Sequence, residues 1–251
     1  MDKQRLTELA EIARRVRVGI VDAVYSASSG HPGGSLSIAD VMTYLYFAKM
    51  NIYPDQPKLA DRDRFVLSKG HAAPALYSTL AHRGFFPVED MKTLRHIDSY
   101  LQGHPDMKHT PGVDMSSGSL GQGISVAAGM ALAAKIDGDA FRVYSILGDG
   151  ELEEGQVWEA MMFAAHYKLD NLCVFVDLNG LQIDGDITEV MNPTPIDKKF
   201  EAFGWNVIVA DAHDFNDLLN AIEKAKATKG KPTAVIMKSV KGKNVSFMEN
   251  N

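Results

Sequence analysis

Between residues 3 and 27, apolar side chains return every three or four positions, at Leu6, Leu9, Ile12, Ala13, Val16, Ile20 and Val24, with polar and charged residues between them. That is the period of a helix with one buried face, and it predicts a long amphipathic helix at the start of the chain. The pattern breaks in SASSGHPGGSLS (26–37), a small, polar stretch that reads as a loop, and helical spacing resumes over 40–50. Five later runs, 65–67, 143–147, 172–177, 205–210 and 234–238, are short and apolar, as buried strands are. Helical patterns at 121–136, 155–168, 197–203 and 214–228 lie between most of them. Apolar strands alternating with helices predict a doubly wound, mostly parallel α/β sheet with both faces covered. No internal repeat and no linker rich in Pro, Gly or Ser divides residues 1–251, so one domain with an N-terminal helical segment is expected. In such sheets ligands sit at the carboxyl ends of the strands.

Composition narrows the partners. With 45% hydrophobic and 23% charged residues, the chain has the balance of a soluble globular protein. Its net charge is −6, and Lys and Arg are spread rather than gathered into the basic stripe that nucleic acid demands. No apolar run approaches the ~20 residues that span a bilayer. The opening MDKQRLTELAEIARRV lacks the apolar centre of a secretory signal. A single cysteine, Cys173, excludes an internal disulfide framework. The expectation is a cytoplasmic protein with neither nucleic acid nor membrane as partner.

The strongest chemical signal is a pair of segments, ILGDGELEEGQVWEA (146–160) and FVDLNGLQIDG (175–185). In the first, a buried strand runs into Gly148-Asp149-Gly150 and then a helix. Glycines let the backbone approach a ligand closely, and a helix N-terminus offers N–H groups to an anion. Asp149 is a hard carboxylate at a strand end, and Asn179, at the end of the next strand, offers a hard amide oxygen. Mg²⁺ takes about six oxygens and usually combines a few protein groups with phosphate and water. Alone, GDG reads as a turn and Asn-Gly as a hairpin turn. Together, each ending a parallel strand, they read as a metal and diphosphate site.

Three histidines, His31, His71 and His104, each follow a glycine, in SSGHPGGSLS, LSKGHAAPALY and LQGHPD. Gly occupies 21 of 251 positions, so fewer than one of the eight histidines should follow Gly by chance. Two of the three precede Pro, which imposes an extended or turn conformation. Three imidazoles on tight loops at one end of a sheet predict a polar cluster, whereas any one alone reads as a surface or satisfied histidine. His82, His96, His109, His166 and His213 sit in no such phrase and read as structural or exposed. GSLGQG (118–123) is glycine-rich and opens a helix, but its G-x-x-G-x-G spacing and the lack of a preceding strand argue against a dinucleotide fingerprint.

These segments resemble the transketolase family. GDG followed by Asn is similar to the thiamine-diphosphate motif, and SGHPGGSLS, SKGHAAPALY, GHPD and GSLGQG are similar to transketolase phrases in that family's order, from about residue 8 onward. Where the motif often has two asparagines, Leu178 fills the first position, as transketolases tolerate. The resemblance implies a thiamine-diphosphate-binding fold of the diphosphate (PP) type, with thiamine diphosphate and Mg²⁺ (or Ca²⁺ or Mn²⁺) as cofactors. Asp149, Asn179 and the Leu181 carbonyl would bind the metal, Gly150 would donate to a phosphate oxygen, and Gly148 would let the diphosphate approach. The Gly118 and Leu120 backbone would touch the cofactor, and Ile183 would pack on its thiazolium ring. Glu154 would lie near the ring system and the boundary with a neighbouring chain. His31 and His104 would contact the donor sugar's hydroxyls, and His71 would lie by the diphosphate and the reacting carbons.

The reaction so implied moves a two-carbon ketol group from a ketose phosphate to an aldose phosphate, in the pentose phosphate pathway. The family's cofactor-activating glutamate belongs to a pyrimidine-binding domain, and nothing in residues 1–251 resembles that domain. The expectation is an N-terminal subunit of a split enzyme, or a trimmed piece of a longer chain, inactive without a complementary C-terminal subunit. A heterotetramer with two of each chain and sugar phosphate substrates follow from the same resemblance. SVAAGMALAA and EAMMFAA, small and Met-rich, suit a partner surface or an ordinary buried helix. The competing readings are half of another thiamine-dependent carboligase and a non-catalytic cofactor-binding module.

Overall fold

The computed structural model describes residues 1–183 and 185–250. Helix α1 spans Lys3–Ala27. The Asp2 carboxylate caps it by accepting from the Arg5 N–H at 2.7 Å, and Ser28, in the left-handed region at φ 48°, ends it. Its buried stripe is Leu9, Ala13, Val16, Ile20 and Ala23. Two short helices follow, α2 (Pro32–Leu36) and α3 (Ala39–Tyr44), then strand β1 (Arg64–Leu67) and helix α4 (Ala73–Arg83). Helix α5 (Gln122–Asp137), β2 (Val143–Gly148), α6 (Gly155–His166) and β3 (Leu172–Leu178) form the middle of the chain. After a two-stranded antiparallel hairpin, β4 (Leu181–Gln182) and β5 (Gly185–Asp186), come α7 (Ile187–Val190), α8 (Ile196–Ala202), β6 (Asn206–Asp211), α9 (Phe215–Ala227) and β7 (Thr233–Lys238).

The main sheet is parallel throughout, in the order β1-β2-β3-β7-β6. Its strands alternate cleanly between two cores. Tyr144, Ile146, Cys173, Phe175, Val235 and Met237 face α1, α3, α4 and α9. Val143, Leu147, Val174, Val176, Ala234 and Ile236 face α5, α6 and α8. That is the doubly wound arrangement expected from the apolar runs. It points the ends of β1, β2, β3 and β7 to one edge of the sheet. Cys173 is buried and free, and among the described residues no helix is long and apolar enough to cross a membrane.

Three local expectations need correction. The stretch 26–37 is not all loop, because Pro32–Leu36 is helical. Pro32 at the first helical position presets φ, and the Ser35 hydroxyl donates back to the His31 carbonyl at 2.7 Å, which overrides the two glycines. The pattern over 40–50 changes type within the run, since α3 passes into a π-helical turn at Leu45–Lys49. Helix α4 has no counterpart among the elements expected from sequence. All nine residues from Ala73 to Ala81 are buried, so it has almost no polar face to set a helical period.

Phe175, fully buried in the central strand, fills the layer between the sheet and the first core. Phe175→Ala should cost about 3–5 kcal/mol in denaturant unfolding. A loss below about 1 kcal/mol would mean that this layer is not close-packed.

Candidate cofactor and active site

Each strand end delivers a chemical group to the same edge. Lys69, Gly70 and His71 follow β1, Asp149 and Gly150 follow β2, Asn179 follows β3, and Ser239 and Lys241 follow β7. Helix α2 brings His31, its N-cap residue, across from the other side. Together they enclose a cavity of about 520 Å³. Ten of the residues singled out from sequence line it: His31, His71, Gly118, Leu120, Gly148, Asp149, Gly150, Asn179, Leu181 and Ile183. The His31 and His71 rings meet edge to face with centroids 5.1 Å apart.

His104 and Glu154 stand just outside this lining. Gly70 and Gly118 touch backbone to backbone, since a Cβ on Gly70 would lie 2.6 Å from the Gly118 nitrogen. Gly118, at φ +148°, lies in turn against the His104 ring, where a Cβ would come within 2.9 Å of Cγ. His104 is thus placed against the Gly118 loop, near enough for its charge to act on His31 and His71, and its carbonyl accepts from the Tyr77 hydroxyl at 2.9 Å. Glu154 is the N-cap residue of α6 but makes no capping hydrogen bond through its side chain. It covers Gly121, whose added Cβ would lie 2.8 Å from Glu154 Cβ.

Sequence reasoning missed two buried carboxylates that hold these loops. Asp177, fully buried, accepts from Lys69 Nζ at 2.6 Å, Ser37 Oγ at 2.7 Å, Asn179 Nδ2 at 3.0 Å and the Ser239 hydroxyl. Burial opposes its ionisation, but the Lys69 ammonium and the hydroxyl donors outweigh burial and hold its carboxyl below the usual range. Glu151 accepts from the Ser68 hydroxyl, from the Gly121 N–H at 2.9 Å and from the Gly148 N–H at 3.1 Å. It thereby binds the 118–123 loop to the end of β2, and burial pushes its pKa up. Locally, Asp177 is only the last residue of an apolar run and Lys69 only the residue before Gly-His. Gln182 and Lys241 also line the cavity without having been singled out.

The field at the site is divided. Asp149 accepts the Gly150 N–H at 2.9 Å through Oδ1 and the Gly180 N–H at 2.7 Å through Oδ2. Burial, followed by the Asp177 charge, raises its pKa to about 6. The nearby Lys69 ammonium is in contact with Asp177 instead. The opposite holds for the imidazoles. Burial and then the Lys69 charge lower His71 to about 3, and burial, Arg95, His104 and Lys241 lower His31. Both rings are therefore neutral near pH 7.

Asp149 suits a divalent cation, being a buried carboxylate short of positive charge. Asn179 suits it as well, since its amide donates to Asp177 and presents its oxygen, which also accepts the Leu181 N–H at 3.1 Å. Among the described residues no three His, Cys, Asp or Glu side chains converge on a metal position. A cation here would therefore need oxygens from the backbone and from its ligand, the habit of Mg²⁺ with phosphates.

A parallel α/β domain with a hard carboxylate, an amide and two neutral imidazoles around one cavity at its strand ends suits a phosphorylated organic cofactor. Similarity to known proteins identifies that cofactor. Residues 9–251 match the family model described as "Transketolase, thiamine diphosphate binding domain", and the chain belongs to this family. It is 45% identical to the 6-deoxy-6-sulfo-D-fructose transketolase subunit SqwG of Clostridium sp. (strain MSTE9) over 249 residues, covering 99% of this chain and 90% of that one. An apulose-4-phosphate transketolase subunit of Phocaeicola vulgatus is 44% identical over 233 residues, covering 93% and 83%. The transketolase structure from Campylobacter jejuni superposes with a TM-score of 0.93 at 35% identity, across all of this chain and 40% of that one. The domain binds thiamine diphosphate.

The raised pKa of Asp149 gives a test in the cofactor-free chain. Between the unfolded value near 4 and the folded value of about 6, the folded state holds a proton that the unfolded state has released. Ionising Asp149 therefore weakens folding as pH rises through this window. The stability of Asp149→Asn relative to wild type should grow by up to about 3 kcal/mol from about pH 4 to pH 7 in urea titrations. A difference that stays flat with pH would contradict the burial of this charge.

Proposed function

We propose that this chain is the diphosphate-binding subunit of a two-chain transketolase in the cytoplasm. It works in pentose phosphate metabolism, passing a two-carbon ketol unit from a ketose phosphate to an aldose phosphate. One observation carries the reading: a single cavity gathers His31 and His71 with Asp149, Asn179 and Leu181. Two of the relatives are named as transketolase subunits and are matched over most of their length, which supports a separate partner chain. The outer faces of α5 and α6 support it too, since Ile136, Met162 and Phe163 are exposed there, with Tyr167 just after α6. The two kinds of chain assemble as a heterotetramer, two of each.

Thiamine diphosphate, when bound, supplies the carbon that takes up and releases the ketol unit. This chain's residues bind, orient and exclude water. Asp149 Oδ, Asn179 Oδ1 and the Leu181 carbonyl hold Mg²⁺, with Ca²⁺ or Mn²⁺ able to replace it, and Gly150 donates its N–H to the diphosphate. Gly148 adds no side chain where the diphosphate lies, and the Gly118 and Leu120 backbone borders the cofactor. Ile183, 84% exposed beside the cavity, supplies the apolar surface for the thiazolium ring. Glu154 serves the ring system at the boundary with the partner chain. His71, neutral through burial, donates and accepts hydrogen bonds beside the diphosphate and the reacting carbons. His31 and His104 hold the donor sugar's hydroxyls.

Asp149→Ala should abolish Mg²⁺-dependent binding of thiamine diphosphate to the assembled enzyme, measured by calorimetry. Unchanged affinity would remove Asp149 from the metal site. The decisive assay is co-expression with a pyrimidine-domain partner, then xylulose 5-phosphate as donor and ribose 5-phosphate as acceptor. Ketol transfer should need both chains. Transfer with 6-deoxy-6-sulfo-D-fructose or apulose 4-phosphate alone would redirect the substrate to those in the relatives' names, and no transfer with any donor would favour a non-catalytic cofactor-binding module.

A further inference from the structure

One wall of the cavity comes from the segment after β7, through Lys241 and Met248. Little of this segment is in regular structure, and its far end is anchored by Val245 and Met248, which pack against the first core. Gly242 donates its N–H to the Gly33 carbonyl at 3.0 Å, and the Lys241 side chain lies on Gly33, 3.0 Å from where a Cβ would be. Both contacts bring the segment onto the helix that begins after His31.

Behind the segment lies a buried charged group with no part in the chemistry described above. Asp40 on α3 receives a two-pronged ion pair from Arg17 on α1, at 2.9 and 2.6 Å. Both side chains are less than a tenth exposed. Asp40 Oδ2 also meets His213 Nδ1 at 2.8 Å, while His213 Nε2 lies 3.0 Å from the Val240 nitrogen. The Val240 N–H can only donate, so Nε2 must be the bare nitrogen and Nδ1 must carry the proton toward Asp40. Arg17 reaches the same segment by donating from Nε to the Lys243 carbonyl at 3.2 Å. The cluster thus grips the segment on both sides of Lys241, at Val240 and at Lys243. Asp40 fixes the tautomer and tilt of the ring, and burial opposes its ionisation less than His213 and Arg17 favour it.

We propose that His213, oriented by Asp40 and Arg17, is a positioning residue that sets the Val240–Lys243 wall and so the cofactor affinity of the cavity. It touches neither cofactor nor substrate and acts through the backbone of residues that do. The proposal rests on the cavity being the thiamine diphosphate site, and the test separates the two. Wild type, His213→Ala and His213→Gln are compared in the assembled enzyme. One measurement is calorimetric affinity for thiamine diphosphate with Mg²⁺. The other is hydrogen exchange of the 239–250 peptide without cofactor.

His213→Ala should weaken cofactor binding about tenfold and speed exchange at Val240 and Gly242 by a similar factor, the scale of one lost hydrogen bond. The peptide over α9 should keep its protection, marking the effect as local. His213→Gln offers an amide donor to Asp40 and a carbonyl acceptor to Val240, so it should restore both readouts to within about threefold of wild type. Should His213→Ala fail to fold, His213→Leu keeps the bulk without either hydrogen bond and takes its place. Wild-type affinity and unchanged 239–250 exchange in the Ala or Leu variant would overturn the positioning role. Equal loss in the Gln variant would overturn it as well. Absence of cofactor binding by the wild-type assembly would instead overturn the cofactor site, while the exchange readout would still judge His213.

Discussion

The site depends on one buried charge pair. Asp177 and Lys69 meet at 2.6 Å with almost no solvent exposure. A lone carboxylate at that depth would be costly, and the pair alone would leave lone pairs unfilled. The remaining oxygen capacity is met by Ser37 after α2, Asn179 after β3 and Ser239 after β7. Four chain segments therefore close on a single carboxylate. Each of them also carries a neighbour that lines the cavity or a group that faces it. Removing Lys69 would leave Asp177 buried without its countercharge, and the three remaining donors could offset that only in part.

That dependence explains which parts of the molecule could be read from the sequence. The strands were legible because the main sheet is covered on both sides, so each strand is a short apolar run. Asp149 and Asn179 were legible because glycine marks both sites locally. Lys69 and Asp177 were not, because they lie 108 residues apart and neither has a local pattern that names its partner. Helix α4 was illegible for the opposite reason: burial on most sides erased the polar face that makes helices recognisable. His104 could be placed on a loop with His31 and His71. Its place against Gly118 depends on two glycines meeting across about fifty residues of chain, a contact with no sequence period.

His213 was hidden in the same way. It sits in no phrase that draws notice, and its chemistry lies entirely in long-range partners. A histidine joining a carboxylate to a backbone N–H uses both ring nitrogens, one as donor and one as acceptor. That makes it a fixed wedge between α3 and the segment after β7. What it supports is the backbone that carries Lys241, and no local pattern in the sequence could name that role.

The electrostatics of the cavity follow from the same arrangement. Lys69 is paired in contact with Asp177, yet its charge still acts on His71 more strongly than the Asp177 charge does, and the pKa of the ring is lowered further than burial alone would lower it. Lys241 acts likewise on His31. Asp149 feels Asp177 more strongly than it feels Lys69 and is pushed up. The cradle thus has two features, a buried carboxylate short of positive charge and imidazoles kept neutral by burial and by the nearby cationic side chains. A metal diphosphate answers both at once. Its cation would favour the ionised Asp149, and its phosphates would offset the lysine field around the rings. The cradle is poised for a ligand that carries both signs of charge close together, and a simple anion or a bare cation would satisfy only half of it.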